Sequence, residues 1–293
     1  MIRNATLRIA DRDLARAPQP ARAIGRAATL ALHDELALSP KPGLVTLIDA
    51  GSHDDMDAHT FMRSLFALRC YFVRIADLGA AGAPFEALER CGIEAEARML
   101  AATGGINTHR GAIFTLGLLC ASAGAVAATG REVTPDLLRH TLLRRWGDAL
   151  SGRAQRPSTL PGGIAARRHG LRSASAEAVL GFPVLFETAL PALQAATARG
   201  VPRRPALLDT LFHAIAVLDD SNLAHRGGLE GLRHAQRAAR DFLAAGGAAR
   251  PGGVAAAFEI GHDFVDRRLS PGGAADTLAA ACLIMRIGAL RMG

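Results

Sequence analysis

Lysine is almost missing from this chain. Of 34 Lys and Arg residues, all but Lys41 are arginine. Aromatic residues make up only 4% of the 293 residues, so Ala, Leu, Val and Ile must fill any core; apolar residues reach 49%. Ala costs least in a helix, and an Ala-rich core favours close-packed helices. No CxxC pair occurs: Cys70, Cys91, Cys120 and Cys282 are scattered, which reads as four reduced thiols of a cytoplasmic protein. No Walker A loop, GxGxxG fingerprint, HExxH pair or GxSxG elbow is present. No uninterrupted apolar run reaches the length of a membrane span; Ala112 to Ala128 comes nearest, and its Gly and Ser breaks mark a buried helix instead. The first residues, MIRNATLRIADRDLAR, lack the apolar stretch of a secretory signal. The arginines are not interleaved with aromatics and form no stripe, which argues against nucleic acid as partner. The net charge of +7 has two readings, an anionic substrate or an Arg-rich coding bias.

Helical periodicity dominates what is there. Residues 1–20 read as a loose leader ending in Pro18-Gln19-Pro20, and residues 21–293 as one all-α domain. Ile24, Ala28, Ala31 and Glu35 share one helix face, which turns Glu35 inward. Ser39-Pro40-Lys41-Pro42-Gly43 stops that helix. Helices are expected over 59–78, 84–102, 107–128, 134–150, 173–180, 183–199, 204–218, 228–245, 251–268 and 273–290. The Pro- and Gly-bearing stretch 151–172 reads as a lid-like loop. No segment alternates with period two, so no sheet is expected. Helix 228–245 carries an inner stripe of Leu229, Leu232, Ala235, Ala239 and Phe242 with arginines outside it, whereas 107–128 is apolar all round and should be central.

The polar residues gather in the breaks between helices. Lys41 stands in a Pro-Gly loop where a compact point charge has survived in a chain that otherwise uses Arg. Asp54, Asp55 and Asp57 crowd into GSHDDMD, which fits a Mg²⁺ site or, for Asp57, a helix cap. In TGGINTHRGA, Asn107 or Thr108 can cap a helix. His109 and Arg110 then stand in its first turn, where cations oppose the macrodipole, an arrangement suited to binding an anion. LDDSNLAHRGG offers Asp219, Asp220 and Asn222 as oxygen ligands and His225 and Arg226 as positive charges, or is simply a capped turn. Asp276 falls early in a helix after Gly272-Gly273, and Glu177 is the one carboxylate of AEAVLGFP.

Taken together and in order, SPKPGLV, GSHDDMD with Phe61 and Ser64 after it, GGINTHRGAIFTLGLL, EAVLGFP, DSNLAHRGG and SPGGAADTLA resemble the triphosphoribosyl-dephospho-CoA synthase family over nearly the whole chain. That family usually places Arg-Gly before the Glu of the EAxxGFP block; here Ser175-Ala176 stand there and the nearest arginine is Arg172. The resemblance implies an all-α enzyme that joins ATP to 3′-dephospho-CoA, releases adenine and makes the precursor of a carrier-protein prosthetic group, which a separate holo-carrier transferase attaches. Malonate decarboxylase and citrate lyase both use such a group, and the Arg/Ala-rich form resembles the malonate decarboxylase branch more. Because the family's product is an α-glycoside made from a β-glycoside, one direct displacement through an oxocarbenium-like state is implied. On this reading Asp54, Asp55 and Asp220 hold Mg²⁺ on the triphosphate. Lys41, His109, Arg110 and Arg226 contact phosphate, while His53, Asn107, Asn222, His225 and Asp276 complete the substrate site. Glu35 and Asp57 are candidate bases and Glu177 the candidate acid. An ADP-ribosylglycohydrolase-like hydrolase, which GGAADT loosely resembles, is the alternative.

Overall fold

The computed structural model describes residues 17–290 and contains helices but no strand among them. Residues 1–16 of the expected leader lie outside the described residues, and its last two belong to a helix. Helix α1 runs Gln19–Ala37 with Pro20 in its first turn, where no intrahelical N–H is needed. Next come α2 (Ala58–Ala80), α3 (Phe85–Thr103), α4 (Arg110–Ala127) and α5 (Pro135–Gln155). Then follow α6 (Pro161–His169), α7 (Ala174–Val179), and α8 (Leu190–Ala198), which continues a π-helical turn at Val184–Ala189. The chain ends in α9 (Arg203–Val217), α10 (Ser221–Ala244), α11 (Gly253–Asp266) and α12 (Gly272–Gly288).

Two expectations need correcting. The stretch 151–172 is not a loop: α5 continues through Gln155 and α6 occupies Pro161–His169, packed along α10. The Pro and Gly taken as loop signals are its punctuation, with Pro161 at the helix start and Gly170 closing it at φ 64°. Likewise LDDSNLAHRGG is not a turn. Asp220 caps α10, which begins at Ser221 and runs through a kink at Gly228 (φ 64°, ψ −166°) into the helix expected from 228.

Helix α4 is the axis of the fold. It is long and apolar enough to cross a membrane, yet 72% of it is buried among α1, α2, α3, α5 and α12. Its contact with α2 is backbone to backbone: a Cβ on Gly79 would lie 2.0 Å from the Ala121 carbonyl oxygen. One continuous apolar core surrounds this pair, filled as the composition requires by Leu, Ala and Ile. The polar breaks collect at the N-terminal ends of α4, α10 and α12 and the C-terminal end of α1.

Candidate active site

Three sequence motifs are stitched together around His53. Ser52 Oγ donates to the carbonyls of Leu269 (2.6 Å) and Phe264 (3.2 Å), so the GSHDDMD loop is anchored on the turn before α12. Arg226, on α10, donates to the Ser52 carbonyl (2.9 Å), the Arg268 carbonyl (3.3 Å) and His53 Nδ1 (2.9 Å). A guanidinium only donates, so Nδ1 accepts and Nε2–H donates to Ser270 Oγ at 2.9 Å. Burial, and next the Arg226 charge, hold the His53 pKa below its usual value, which keeps the ring neutral. Asp54 and Asp55 stand exposed beside this knot, Asp55 Oδ1 3.8 Å from the ring.

Where α4, α7, α10 and α12 converge lies a cavity of about 70 Å³ whose walls carry Arg172, Glu177, Asp219, Asp220 and Asp276. Asp276 reaches it because α4 has no side chain at Gly111; a Cβ there would sit 1.9 Å from Asp276 Oδ2. Burial foremost, then the charges of Glu35 and Asp220, drive the Asp276 pKa well above the carboxylate range, against one hydrogen bond from the Ala112 N–H. Glu177 is also raised, chiefly by burial. Arg172 Nε lies 2.8 Å from Glu177 Oε1 but off hydrogen-bonding line, so it makes a charge contact only. Asp219 Oδ2 accepts from the Arg172 N–H at 3.1 Å. The pocket thus holds four carboxyl groups to one guanidinium. It favours a neutral or cationic centre over a phosphate.

Behind that wall sits a buried polar cluster. Lys41 Nζ is enclosed and ion-paired with Glu35, and burial lowers its pKa against the opposing pull of Glu35. His109, the residue before α4, is 3% exposed. Its Nδ1 is 2.6 Å from Ser64 Oγ, Phe61 meets it edge-on at 4.9 Å, and Nε2 has no hydrogen-bond partner among the described residues. Burial first, then the Lys41 charge, push its pKa down to about 3. Neither side chain presents a cation to a phosphate here. The structure gives Lys41 to Glu35 and makes His109 a neutral imidazole.

Other expected site residues are placed elsewhere. Asp57 is exposed and forms a capping box with Thr60, whose N–H and hydroxyl lie 2.9 and 2.8 Å from its Oδ1. Those bonds lower its pKa, which suits a cap and not a base. Arg110 turns to α3 and pairs with Glu96 at 2.6 Å, while the exposed Asn107 accepts its backbone N–H at 3.2 Å. Asn222 packs beside Gly272, and His225 is exposed on α10. The expected metal trio does not assemble. Asp220 is 1% exposed and accepts the N–H groups of Asn222 (2.9 Å), Leu223 (3.3 Å) and Ala274 (3.1 Å), so one carboxylate caps both α10 and α12. Among the described residues no three His, Cys, Asp or Glu side chains are grouped to hold a metal. Asp54 and Asp55 do fit a metal that arrives on a triphosphate, since Mg²⁺ keeps waters and phosphates and takes only one or two protein carboxylates. Sequence reasoning gave no role to Arg172 or Thr115 in the cavity wall, and offered Asp219 only as an oxygen ligand. Thr115 lies four residues after Gly111, on the same helix face, and Arg172 stands just before the helix that bears Glu177. Both spacings were available signals.

The family model described as ATP:dephospho-CoA triphosphoribosyl transferase (CitG) matches residues 21–292. The chain belongs to that family. A probable 2-(5″-triphosphoribosyl)-3′-dephosphocoenzyme-A synthase of Vibrio cholerae serotype O1 (strain M66-2) is 37% identical over 276 residues, covering 91% of this chain and 88% of the relative. The 2-(5″-triphosphoribosyl)-3′-dephosphocoenzyme-A synthase of Pectobacterium atrosepticum is 39% identical over 267 residues, 87% of this chain and 85% of the relative. No solved structure matches significantly. This CitG-family transferase places its acidic cavity among the blocks that carried the resemblance.

Proposed function

We propose that this CitG-family enzyme transfers the triphosphoribosyl group of ATP to the 2′-hydroxyl of 3′-dephospho-CoA and releases adenine. The observation that carries the reading is the acidic cavity, in which two carboxyl groups, Glu177 and Asp276, both have pKa values raised chiefly by burial. Displacement at the ribose carbon breaks its bond to adenine and forms one to the incoming oxygen. A cavity rich in carboxyl groups stabilises the cationic sugar that develops between. Asp276, once ionised, is a strong base for the 2′-hydroxyl proton, and Glu177, whose pKa burial raises, is the group to give a proton to the departing adenine. This moves the base from Glu35, which is neutralised by Lys41, and from Asp57, which caps α2. The triphosphate lies outside the acidic cavity, against Arg226, with Asp54 and Asp55 taking Mg²⁺ that arrives on it. The metal's chemistry is charge neutralisation of that tail.

The family match and both named relatives favour transfer over hydrolysis. The test is adenine release from Mg-ATP, followed by chromatography, with and without 3′-dephospho-CoA. Release that requires dephospho-CoA, with a product heavier by the triphosphoribosyl group, is expected; release without it refutes the transferase reading. The Arg/Ala-rich composition supports supply of a malonate decarboxylase carrier in the cytoplasm, by way of a holo-carrier transferase. Loading of that carrier but not a citrate lyase carrier is the corresponding check.

A further inference from the structure

A second cavity, of about 120 Å³, borders a neighbouring face of the α4 helix. Gly111 and Thr115 face the acidic cavity, and Arg110, Ile113 and Phe114 face this one. Its interior is apolar, built by Ile75, Phe85, Leu88, Ile113 and Leu118 with the Tyr71 ring. Its mouth opens between Ile93, 63% exposed on α3, and Leu160, 41% exposed just before α6. The polar groups at the rim are neutralised in pairs: Arg110 with Glu96, and Arg153 with Glu89, the latter guanidinium also lying over the Phe114 ring at 5.1 Å.

That pairing excludes one kind of ligand and fits another. A triphosphate needs unpaired cations, and this rim has no net charge to offer. An uncharged, partly apolar chain carrying amides finds apolar walls with paired donors and acceptors at the entrance. Of the two substrates in the proposed reaction, only dephospho-CoA has such a part. Both cavities border α4, a helix about 10 Å across, and an extended pantetheine arm is longer than that. Gly104, Gly105 and Asn107, just before α4, are exposed.

We propose that this cavity is the subsite for the pantetheine arm of the acceptor, on a neighbouring face of α4 to the carboxyl groups that act on the ribose. The inference rests on the transferase reading above. It makes the cavity a specificity device, holding the acceptor by the part that distinguishes dephospho-CoA from other adenosine nucleotides.

Gly92, on α3, borders the cavity with room for a side chain; a Cβ there would meet its nearest neighbours, Tyr71 and Ile113, at 3.8 and 3.9 Å. Gly92→Leu fills the space, and Leu160→Asp charges the mouth without entering the core. For each variant KM is measured separately for dephospho-CoA and for ATP, and 4′-phosphopantetheine is tested as an inhibitor of the unmodified enzyme. The expected result is a rise of tenfold or more in KM for dephospho-CoA in both variants, a KM for ATP within twofold of the parent, and inhibition competitive with dephospho-CoA but not with ATP. Unchanged KM for dephospho-CoA, equal rises for both substrates, or no inhibition by the fragment overturns the assignment. Adenine release from the parent enzyme that ignores dephospho-CoA defeats the transferase reading instead, so the two failures are distinguishable.

Discussion

Replacing His109 by Gln should alter the acid sensitivity of the fold in a predictable direction. The imidazole is enclosed, and its pKa falls from 6.5 to about 3. A group whose folded pKa is depressed has no effect on stability above its unfolded pKa, where both states are neutral. Below pH 6.5 the unfolded chain takes up a proton that the folded chain refuses, and stability is lost until about pH 3. Each unit of that interval is about 1.4 kcal/mol. At pH 5 the loss is therefore about 2 kcal/mol, and across the whole interval about 5 kcal/mol. Glutamine does not titrate, so the variant lacks this component. Urea unfolding at pH 7.5, 6 and 5 measures both proteins. The variant should be less stable at pH 7.5, having lost the fitted ring, and the gap should shrink by about 2 kcal/mol by pH 5. A gap that stays constant with pH would mean that His109 titrates normally in the folded protein, and the enclosed neutral imidazole would be wrong.

Other perturbations separate structure from chemistry. Lys41→Met strands the Glu35 carboxylate and should cost about 3–5 kcal/mol, whereas Lys41→Met combined with Glu35→Leu should recover most of that, as read by calorimetry. Asp276→Asn should lower kcat by about 10²–10⁴-fold while raising stability at pH 7, and the gain should vanish toward pH 4, because a raised carboxyl pKa costs stability only above its unfolded value. An Asp276→Asn protein with parental kcat would remove the base. Gly111→Ala, whose Cβ would collide with Asp276 Oδ2, should cut kcat by at least tenfold with little loss of thermal midpoint; unchanged turnover would show that Asp276 need not stand where it does.

The helices were legible because each buries one face, and Ile24, Ala28, Ala31 and Glu35 do share the inward side of α1. What misled was punctuation. Pro161 and Gly170 are equally good as loop residues and as the ends of a short helix, and only packing against α10 decides. The site was legible as a set of motifs and not as a set of roles. A carboxylate in a polar stretch can be a cap, a charge partner or a catalyst. Asp57, Asp220 and Asp276 show those fates diverging with burial: the first is exposed and caps a helix, the second is consumed by backbone N–H groups, and the third faces a cavity. Lys41 stood out by its rarity, yet no spacing in the sequence shows that Glu35, on the preceding helix, neutralises it.

Asp220 joins the starts of two helices that lie more than fifty residues apart along the chain. A nascent polypeptide emerging from the ribosome can fold α1 to α4 early, but half the hydrogen-bonding capacity of that carboxylate stays idle until Ala274 has been synthesised. The floor of the acidic cavity therefore closes only once α12 has begun to form, and a fragment truncated before α12 carries almost every polar motif without a place to assemble them.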